Sequence, residues 1–284
     1  MKPAAFDYHA PRTVEEAVAL LATHGEEARI LAGGQSLVPT MAFRMARPGV
    51  LVDINRIPDL AFLRAEDGIL RIGALTRHAA FEKPVAPGPV GALLARVARH
   101  IAHAPIRQRG TFCGSLAHAD PASEWCATTL ALSGTLMVAG PDGQRAVAAE
   151  DWFQGVFTTA IAPGEMLAEV RLPLLGPDWR CGFAEFARRA GDFALAMAVV
   201  ALRLDAGRVA EARIALGGIG GRPELAPDAA AALIGQLPRD AAQSSAERAA
   251  AGCDPQDDIH APADYRRDLV RVMVRRAIED AIAA

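Results

Sequence analysis

Apolar and polar positions recur along this chain with two different periods, and the periods mark out its elements. Val14, Ala17, Val18 and Leu21 fall on one face of a helix, the spacing of an amphipathic segment. Thr13 with Glu16 three residues on makes a capping box at its start, just after Pro11. Ala28 to Ala32 and Val50 to Ile54 are short apolar runs that predict buried strands, and the first ends at Gly33-Gly34. Together they predict a β–loop–β or βαβ opening with a glycine turn. Ile69 to Ile72 predicts a further strand. Leu93, Leu94, Val97 and Ile101 predict a helix over about 89–102, with Pro105 beyond it. No regular element is assigned from Arg107 to Pro121.

Ala122 to Ser133 suits a helix, and Thr135 to Ala139 a strand that turns at Pro141-Asp142-Gly143 into another. Leu167 to Leu172 predicts a strand ending at Pro173. Leu174 to Asp178 is the best boundary candidate, because the texture changes after it. Met197 to Asp205 and Arg208 to Leu216, joined by Ala206-Gly207, predict a β-hairpin. Ala226 to Gln236 is expected to be helical. Residues 238–262 are rich in Ala, Asp, Gln and Pro and are expected to form a long surface excursion. Tyr265, Leu269, Val272 and Met273 predict a C-terminal amphipathic helix. No internal repeat is visible. The expectation is two α+β domains, 1–176 and 177–284.

Composition narrows the class. A length of 284 residues suggests about two domains. With 51% hydrophobic and 22% charged residues, the chain has enough apolar material for a core, which excludes general disorder. A net charge of -3 gives no electrostatic reason to expect nucleic acid. The four cysteines, Cys113, Cys126, Cys181 and Cys253, are scattered without a CxxC pair. That spacing supplies neither an iron–sulfur cluster nor a disulfide framework. The start, Met1-Lys2-Pro3 to Asp7, has no apolar signal segment, and Phe193 to Leu202, the longest strongly apolar run, is too short to span a bilayer. A cytoplasmic protein without a transmembrane segment is expected.

Two segments carry candidate chemistry. In Ala32-Gly33-Gly34-Gln35-Ser36-Leu37, two glycines after a strand let the backbone turn tightly and approach a ligand. Successive N–H groups in such a turn form a nest for anionic oxygens, to which Gln35 and Ser36 add side-chain hydrogen bonds. A plain Gly-Gly turn explains the same letters. The second segment, Arg107 to Pro121, again mixes glycine with hydroxyls beside Arg107 and Arg109. Two nests converging on a diphosphate would match its charge, whereas a solvated arginine pair needs no ligand. His118 taken alone is a structural histidine. Gly217 to Gly221 is no dinucleotide fingerprint, since Pro223 takes the third glycine position and a hairpin precedes it. No Walker lysine, HExxH or GxSxG occurs, and the histidines lack a matching carboxylate pattern, so no metal site is expected.

The ordered set AGGQSL, DINRI, IGALTRH, RQRGTFCGSLAHADPASE, RRAGDFALA and IALGGIG resembles the FAD-binding medium subunit of the molybdenum hydroxylases. That group includes the carbon monoxide, quinoline and nicotine dehydrogenases, and the flavin domain of xanthine dehydrogenase. The resemblance runs from Phe6 to the helix at 265–281. It implies an α+β fold: a PCMH/VAO-type FAD-binding domain of two α/β subdomains, then a C-terminal domain with a three-stranded antiparallel sheet and helices, with the flavin between them. Carried over residue by residue, Ala32, Gly33, Gly34, Gln35, Ser36 and Leu37 match the first pyrophosphate loop. Thr111 to Ser115 matches the second, written T-I-G-G-S or T-V-G-G-N in the family; Cys113 replaces the first glycine and Gly114 keeps the second. The question this raises is whether the backbone there requires a positive φ, with Gly114 expected to bear the tighter demand. Glu124 stands where the family has an acidic residue on the adenosine ribose. Ala117, His118 and Asp120 lie in the same stretch, and Leu167 matches an apolar contact near the flavin. Phe193, after Asp192, matches an aromatic that covers the isoalloxazine; a core phenylalanine is the alternative.

The resemblance also implies the mechanism. Substrate is hydroxylated at a molybdenum cofactor, and electrons pass through two [2Fe–2S] clusters to FAD and on to an external acceptor. The flavin carries the redox chemistry, so no catalytic acid or base is nominated here. The missing cluster and molybdenum elements imply a small [2Fe–2S] subunit and a large molybdenum-cofactor subunit on other chains, assembled as a dimer of heterotrimers. Ala184-Glu185-Phe186-Ala187 lacks the lysine that xanthine dehydrogenase-like members place at the flavin, so NAD as acceptor gains no support. The alternatives are a self-sufficient flavin oxidase, for which the part after residue 176 is small, and an FAD-binding assembly protein without turnover.

Overall fold

The computed structural model describes residues 2–283; Met1 and Ala284, the outer ends of the two expected domains, lie outside them. The chain opens as a small parallel α/β unit: β1 (Asp7–His9), α1 (Val14–His24), β2 (Ala28–Leu31), α2 (Leu37–Ala42) and β3 (Val50–Asp53), with sheet order β1-β3-β2. The Thr13 side chain accepts from the Glu16 N–H, and the Glu16 carboxylate accepts from the Arg12 N–H, so Glu16 reaches back before the cap. Ala17, Val18 and Leu21 are buried, as the helical period requires.

The second sheet has five antiparallel strands in the order β4-β5-β10-β6-β7: β4 (Leu63–Glu66), β5 (Ile69–Gly73), β6 (Thr135–Gly140), β7 (Gly143–Ala148) and β10 (Met166–Pro173). Between β5 and β6 run α3 (Gly88–Ala98), α4 (Ala104–Arg107), α5 (Phe112–His118) and α6 (Glu124–Ala131); α7 (Ala149–Trp152), β8 (Phe153–Gly155) and β9 (Thr158–Thr159) precede β10. Helix α3 is shorter than its apolar spacing suggested, because Ala102 takes a positive φ and the chain turns before Ile101 can continue the helix.

The third sheet is antiparallel, β11 (Trp179–Phe186), β12 (Ala196–Asp205) and β13 (Arg208–Gly217), with a two-residue edge strand β14 (Glu224–Leu225). Strand β12 explains the long apolar run. Met197, Val199 and Ala201 point into the core shared with the first two sheets, while Ala196, Ala198, Val200 and Leu202 point into a second core against the C-terminal helices. A strand buried on both faces loses the alternation of a half-buried one.

Two expectations fail here. Residues 226–236 are helical only in α8 (Pro227–Ala231), because Gly235 and Gln236 bond back to Val209 at the sheet edge instead of continuing the helix. The surface excursion over 238–262 is wrong: α9 (Pro238–Gly252) fills its first part and packs on α10 (Ala263–Ala283). Its buried face is Ala241, Ala242, Ser245, Ala246, Ala249 and Ala250. Alanines spaced by three and four let two helices approach closely, so a composition that looks like surface forms a contact.

Candidate functional site

The turn after β2 and the turn before α5 meet backbone to backbone. A Cβ on Gly33 would lie 2.7 Å from the Gly110 Cα, so the contact admits no side chain there. Gly34 has φ +71°, the left-handed region a glycine occupies without strain, and the Gln35 side-chain amide donates to the Gly33 carbonyl at 3.0 Å. The sequence-predicted loops are therefore brought together. The first loop lines a cavity of about 380 Å³ with Asp53 and Asn55, and of the second segment only Arg109 reaches it. Ser36 caps α2 without a side-chain cap bond and is exposed beside it, and Leu37 begins that helix.

A polar brace holds this contact. The Asn55 amide donates to the Ala32 carbonyl at 2.8 Å and to Asp53 Oδ1 at 2.6 Å, and the Tyr8 hydroxyl donates to Asp53 Oδ2 at 2.5 Å. Arg77 donates to Asn55 Oδ1 at 2.6 Å and to the Arg109 carbonyl at 2.5 Å. Burial opposes ionisation of Asp53, yet hydrogen bonds from Tyr8 and Asn55 and the charge of Arg56 hold its carboxyl below its ordinary value. Burial and the neighbouring Arg109 charge lower Arg77. Asp53, Asn55 and Arg77 had no role in the sequence; they lie inside the motifs DINRI and IGALTRH, and that membership was the only signal.

The two arginines of the second segment part company. Arg107 donates to Glu82 at 2.7 Å and to the carbonyls of Ile101 and Ala102, a structural tie. Arg109 is exposed at the cavity and has no salt bridge among the described residues. Like charge nearby and no acid partner make it the cation available to an anion.

The second loop is a helix start. Thr111 is buried, and its hydroxyl accepts from the Gly114 N–H at 3.1 Å. Phe112 sits in a buried aromatic cluster with Phe81 and Trp125, ring centres 4.7–5.3 Å apart, which anchors α5. Neither Cys113 nor Gly114 has a positive φ. The demand at Gly114 is closeness, since a Cβ there would meet Thr111 Oγ1. Cys113 is 2% exposed and turns its thiol to the Ile72 carbonyl, and burial pushes the thiol pKa up. Cysteine is thus compatible with this helix.

His78 supports the second loop from beneath. Its N–H donates to the Gly110 carbonyl, and its Nδ1 accepts from Trp125 Nε1 at 3.0 Å. Burial, then the charges of Arg77 and Arg107, lower its pKa from 6.5 to about 4. The neutral ring belongs to the folded state and protonates earlier once unfolded. Its stability contribution is therefore full above pH 6.5 and is lost as pH falls toward 4, about 3 kcal/mol in all. Urea unfolding between pH 7.5 and 4 is expected to show this loss in the wild type and less of it in His78→Gln. Parallel pH profiles for the two proteins would remove His78 from this role.

The remaining expected residues lie away from the cavity. Ser115 is half-buried and Ala117 exposed on α5. His118 stacks on Phe157 with centroids 4.8 Å apart, and burial lowers its pKa. Asp120 accepts from the Ala122 N–H at 2.9 Å, and the Pro121 carbonyl accepts from the Gly218 N–H at 2.8 Å, tying this turn to the end of β13. Glu124 is 7% exposed at the start of α6. Leu167 is buried in the core beside the bulge of β10. Phe193 is 69% exposed, which overturns the core alternative and leaves its ring open to a ligand. Among the described residues, no group of three or more His, Cys, Asp or Glu could hold a metal ion, and no helix is long and apolar enough to cross a membrane.

Residues 4–175 match the family model described as FAD binding domain in molybdopterin dehydrogenase, and residues 182–281 the one described as CO dehydrogenase flavoprotein C-terminal domain. The chain belongs to this FAD-binding family. The flavoprotein is 39% identical to the nicotine 6-hydroxylase medium subunit of Paenarthrobacter nicotinovorans, over 99% of both chains. It superposes on a chain of carbon monoxide dehydrogenase from Hydrogenophaga pseudoflava with a TM-score of 0.95 at 38% identity, covering 100% of this chain and 99% of that one. For quinoline 2-oxidoreductase from Pseudomonas putida 86 the TM-score is 0.92 at 38% identity, with the same coverage. The expected α+β fold, the FAD cofactor and the oxidoreductase class follow from this membership. The flavoprotein's relatives include proteins named as medium subunits or medium chains of larger enzymes.

Proposed function

We propose that the flavoprotein is the electron-transfer subunit of a heterotrimeric molybdenum hydroxylase. It receives electrons from a [2Fe–2S] subunit and passes them through FAD to an external acceptor, with substrate chemistry on a molybdenum-cofactor subunit. The observation that carries this proposal is the glycine turn after β2, which lines a cavity and packs backbone to backbone on the second turn, from which Arg109 enters the cavity as an unpaired cation. Backbone N–H groups and a guanidinium suit a diphosphate, and the close Gly33–Gly110 approach leaves the cradle free of side chains. FAD supplies redox chemistry that links one-electron donors to the acceptor.

The chain's own residues bind and orient. Ala32 to Leu37 and Thr111 to Ser115 would hold the diphosphate, Asp53, Asn55 and Arg77 hold the two turns in register, and Glu124 would accept from a ribose hydroxyl. Asp120 and Ala117 shape the turn that follows, Leu167 would back the site from the core, and the exposed Phe193 ring would hold the isoalloxazine by stacking. A domain boundary at 176, a dimer of heterotrimers and a cytoplasmic location belong to the same proposal; the two matched stretches, 4–175 and 182–281, support the boundary, and the four free cysteines support the location.

The test is to purify the chain from its source with its neighbours, denature it and analyse what is released. FAD in the released fraction, together with co-purifying iron–sulfur and molybdenum chains, is expected. An active lone flavin oxidase would overturn the subunit assignment, and a chain that takes up no FAD on reconstitution would overturn the site.

A further inference from the structure

Arg266 lies in the first turn of α10 and is 4% exposed, with its guanidinium turned onto the ends of two strands. Met197 opposite Gly217 is the last paired position of β12 and β13. The Leu195 and Gly218 carbonyls lie just beyond that pair, where the ladder has ended and a buried acceptor needs another donor. Nη1 of Arg266 donates to both, at 2.8 Å and 2.6 Å. Its Nη2 donates to Asp258 Oδ2 at 2.6 Å. Asp258 Oδ1 accepts from the His260 and Ala261 N–H groups, which fixes the carboxylate in turn.

The same strand ends carry the loop that presents Phe193. Residues 187–194 leave β11 after Phe186, and the loop closes where the Leu195 N–H donates to the Phe186 carbonyl at 2.8 Å. It touches both flanks of the second segment. A Cβ on Gly191 would lie 2.5 Å from His103 Cε1 and 3.0 Å from the Ala102 carbonyl, so the loop rests on the start of α4, the short helix that leads to Arg109. At the other flank the Gly218 N–H donates to the Pro121 carbonyl at 2.8 Å, and a Cβ on Gly218 would lie 2.7 Å from the Ala194 carbonyl. Backbone contacts thus tie the root of the Phe193 loop to β13 and to both ends of the segment from Arg107 to Pro121.

A buried cation is costly, and an apolar side chain could fill such a place at lower cost; what a guanidinium adds is direction. We propose that Arg266 is a positioning residue of the flavin site: by clamping the Leu195 and Gly218 carbonyls together it sets where the Phe193 ring stands, and so how that ring meets the isoalloxazine. This rests on the assignment of Phe193 to the isoalloxazine made above. The ring is 69% exposed and has no core to hold it, so its place depends on the root of its loop.

The experiment is FAD titration of the full chain, freed of flavin and in the complex in which it is isolated, with wild type, Arg266→Lys, Phe193→Ala and the double variant. Lysine keeps the charge but lacks the planar fork that serves all three acceptors. Arg266→Lys and Phe193→Ala are each expected to weaken FAD binding about tenfold, the scale of one aromatic stack, and to shift the bound-flavin spectrum alike. The double variant should bind no more weakly than either single one, because both remove the same contact. Circular dichroism establishes that the variants fold. If Arg266→Lys does not, Asp258→Asn, which loosens the guanidinium and leaves the arginine in place, takes its part in the cycle. Additive losses in the double variant, or wild-type affinity and spectrum in the clamp variant, overturn the role of Arg266 while leaving the FAD site standing. A Phe193→Ala protein with unchanged affinity and spectrum overturns the isoalloxazine assignment, and this role with it.

Discussion

Gly33→Val is expected to lose FAD binding, with affinity down by at least about 100-fold. The physical reason is contact, not turn propensity. Any Cβ at position 33 falls 2.7 Å from the Gly110 Cα, and both partners are backbone, so no rotamer change relieves the clash. The two turns must separate, and their N–H groups no longer converge on one diphosphate. Losing two charge-assisted hydrogen bonds of about 1.5–3 kcal/mol each accounts for the expected fall. Flavin content after purification and FAD titration of the apoprotein measure it, with circular dichroism to establish that the variant folds. A folded Gly33→Val protein with wild-type affinity would remove the first turn from the site.

Arg109→Glu is expected to weaken FAD binding about 100-fold while leaving thermal stability within about 0.5 kcal/mol. The side chain is exposed and has no salt bridge among the described residues, so the fold does not depend on its charge. The ligand does, because the substitution replaces the cavity's unpaired cation with an anion. Wild-type affinity should also weaken with added salt, since this contact lies near solvent. Arg107→Glu is the contrasting control. It breaks ties to Glu82 and two carbonyls and should therefore lower stability. Unchanged FAD affinity in Arg109→Glu would place the anion elsewhere.

Local signals were legible where a residue's own neighbours decide its conformation. The capping box at Thr13, the glycine turn after β2 and the hairpin at Ala206-Gly207 all depend on contacts within a few residues. The run at 193–202 was legible as apolar, but that its residues 194–202 are shared between two cores was not, because that depends on what lies on each side of β12. Helix α9 was missed for the same reason. An alanine-rich polar segment has little hydrophobic signal of its own, and only close packing on α10 makes it an interior helix.

The candidate site divides in the same way. Motif order alone determined the family, the cofactor and the two glycine turns, since a tight turn writes itself into adjacent residues. The tertiary structure decided which arginine is available and which is a strut, that the Gly114 constraint is a hydroxyl contact, and that Phe193 stands out of the core. It also decided the brace of Asp53, Asn55 and Arg77, and the burial of Glu124 and of Glu185. Each of these depends on residues far apart in the chain meeting at a few ångströms. Charge availability, burial and the cost of an unpaired polar atom belong to such meetings, and no run of neighbouring letters encodes them.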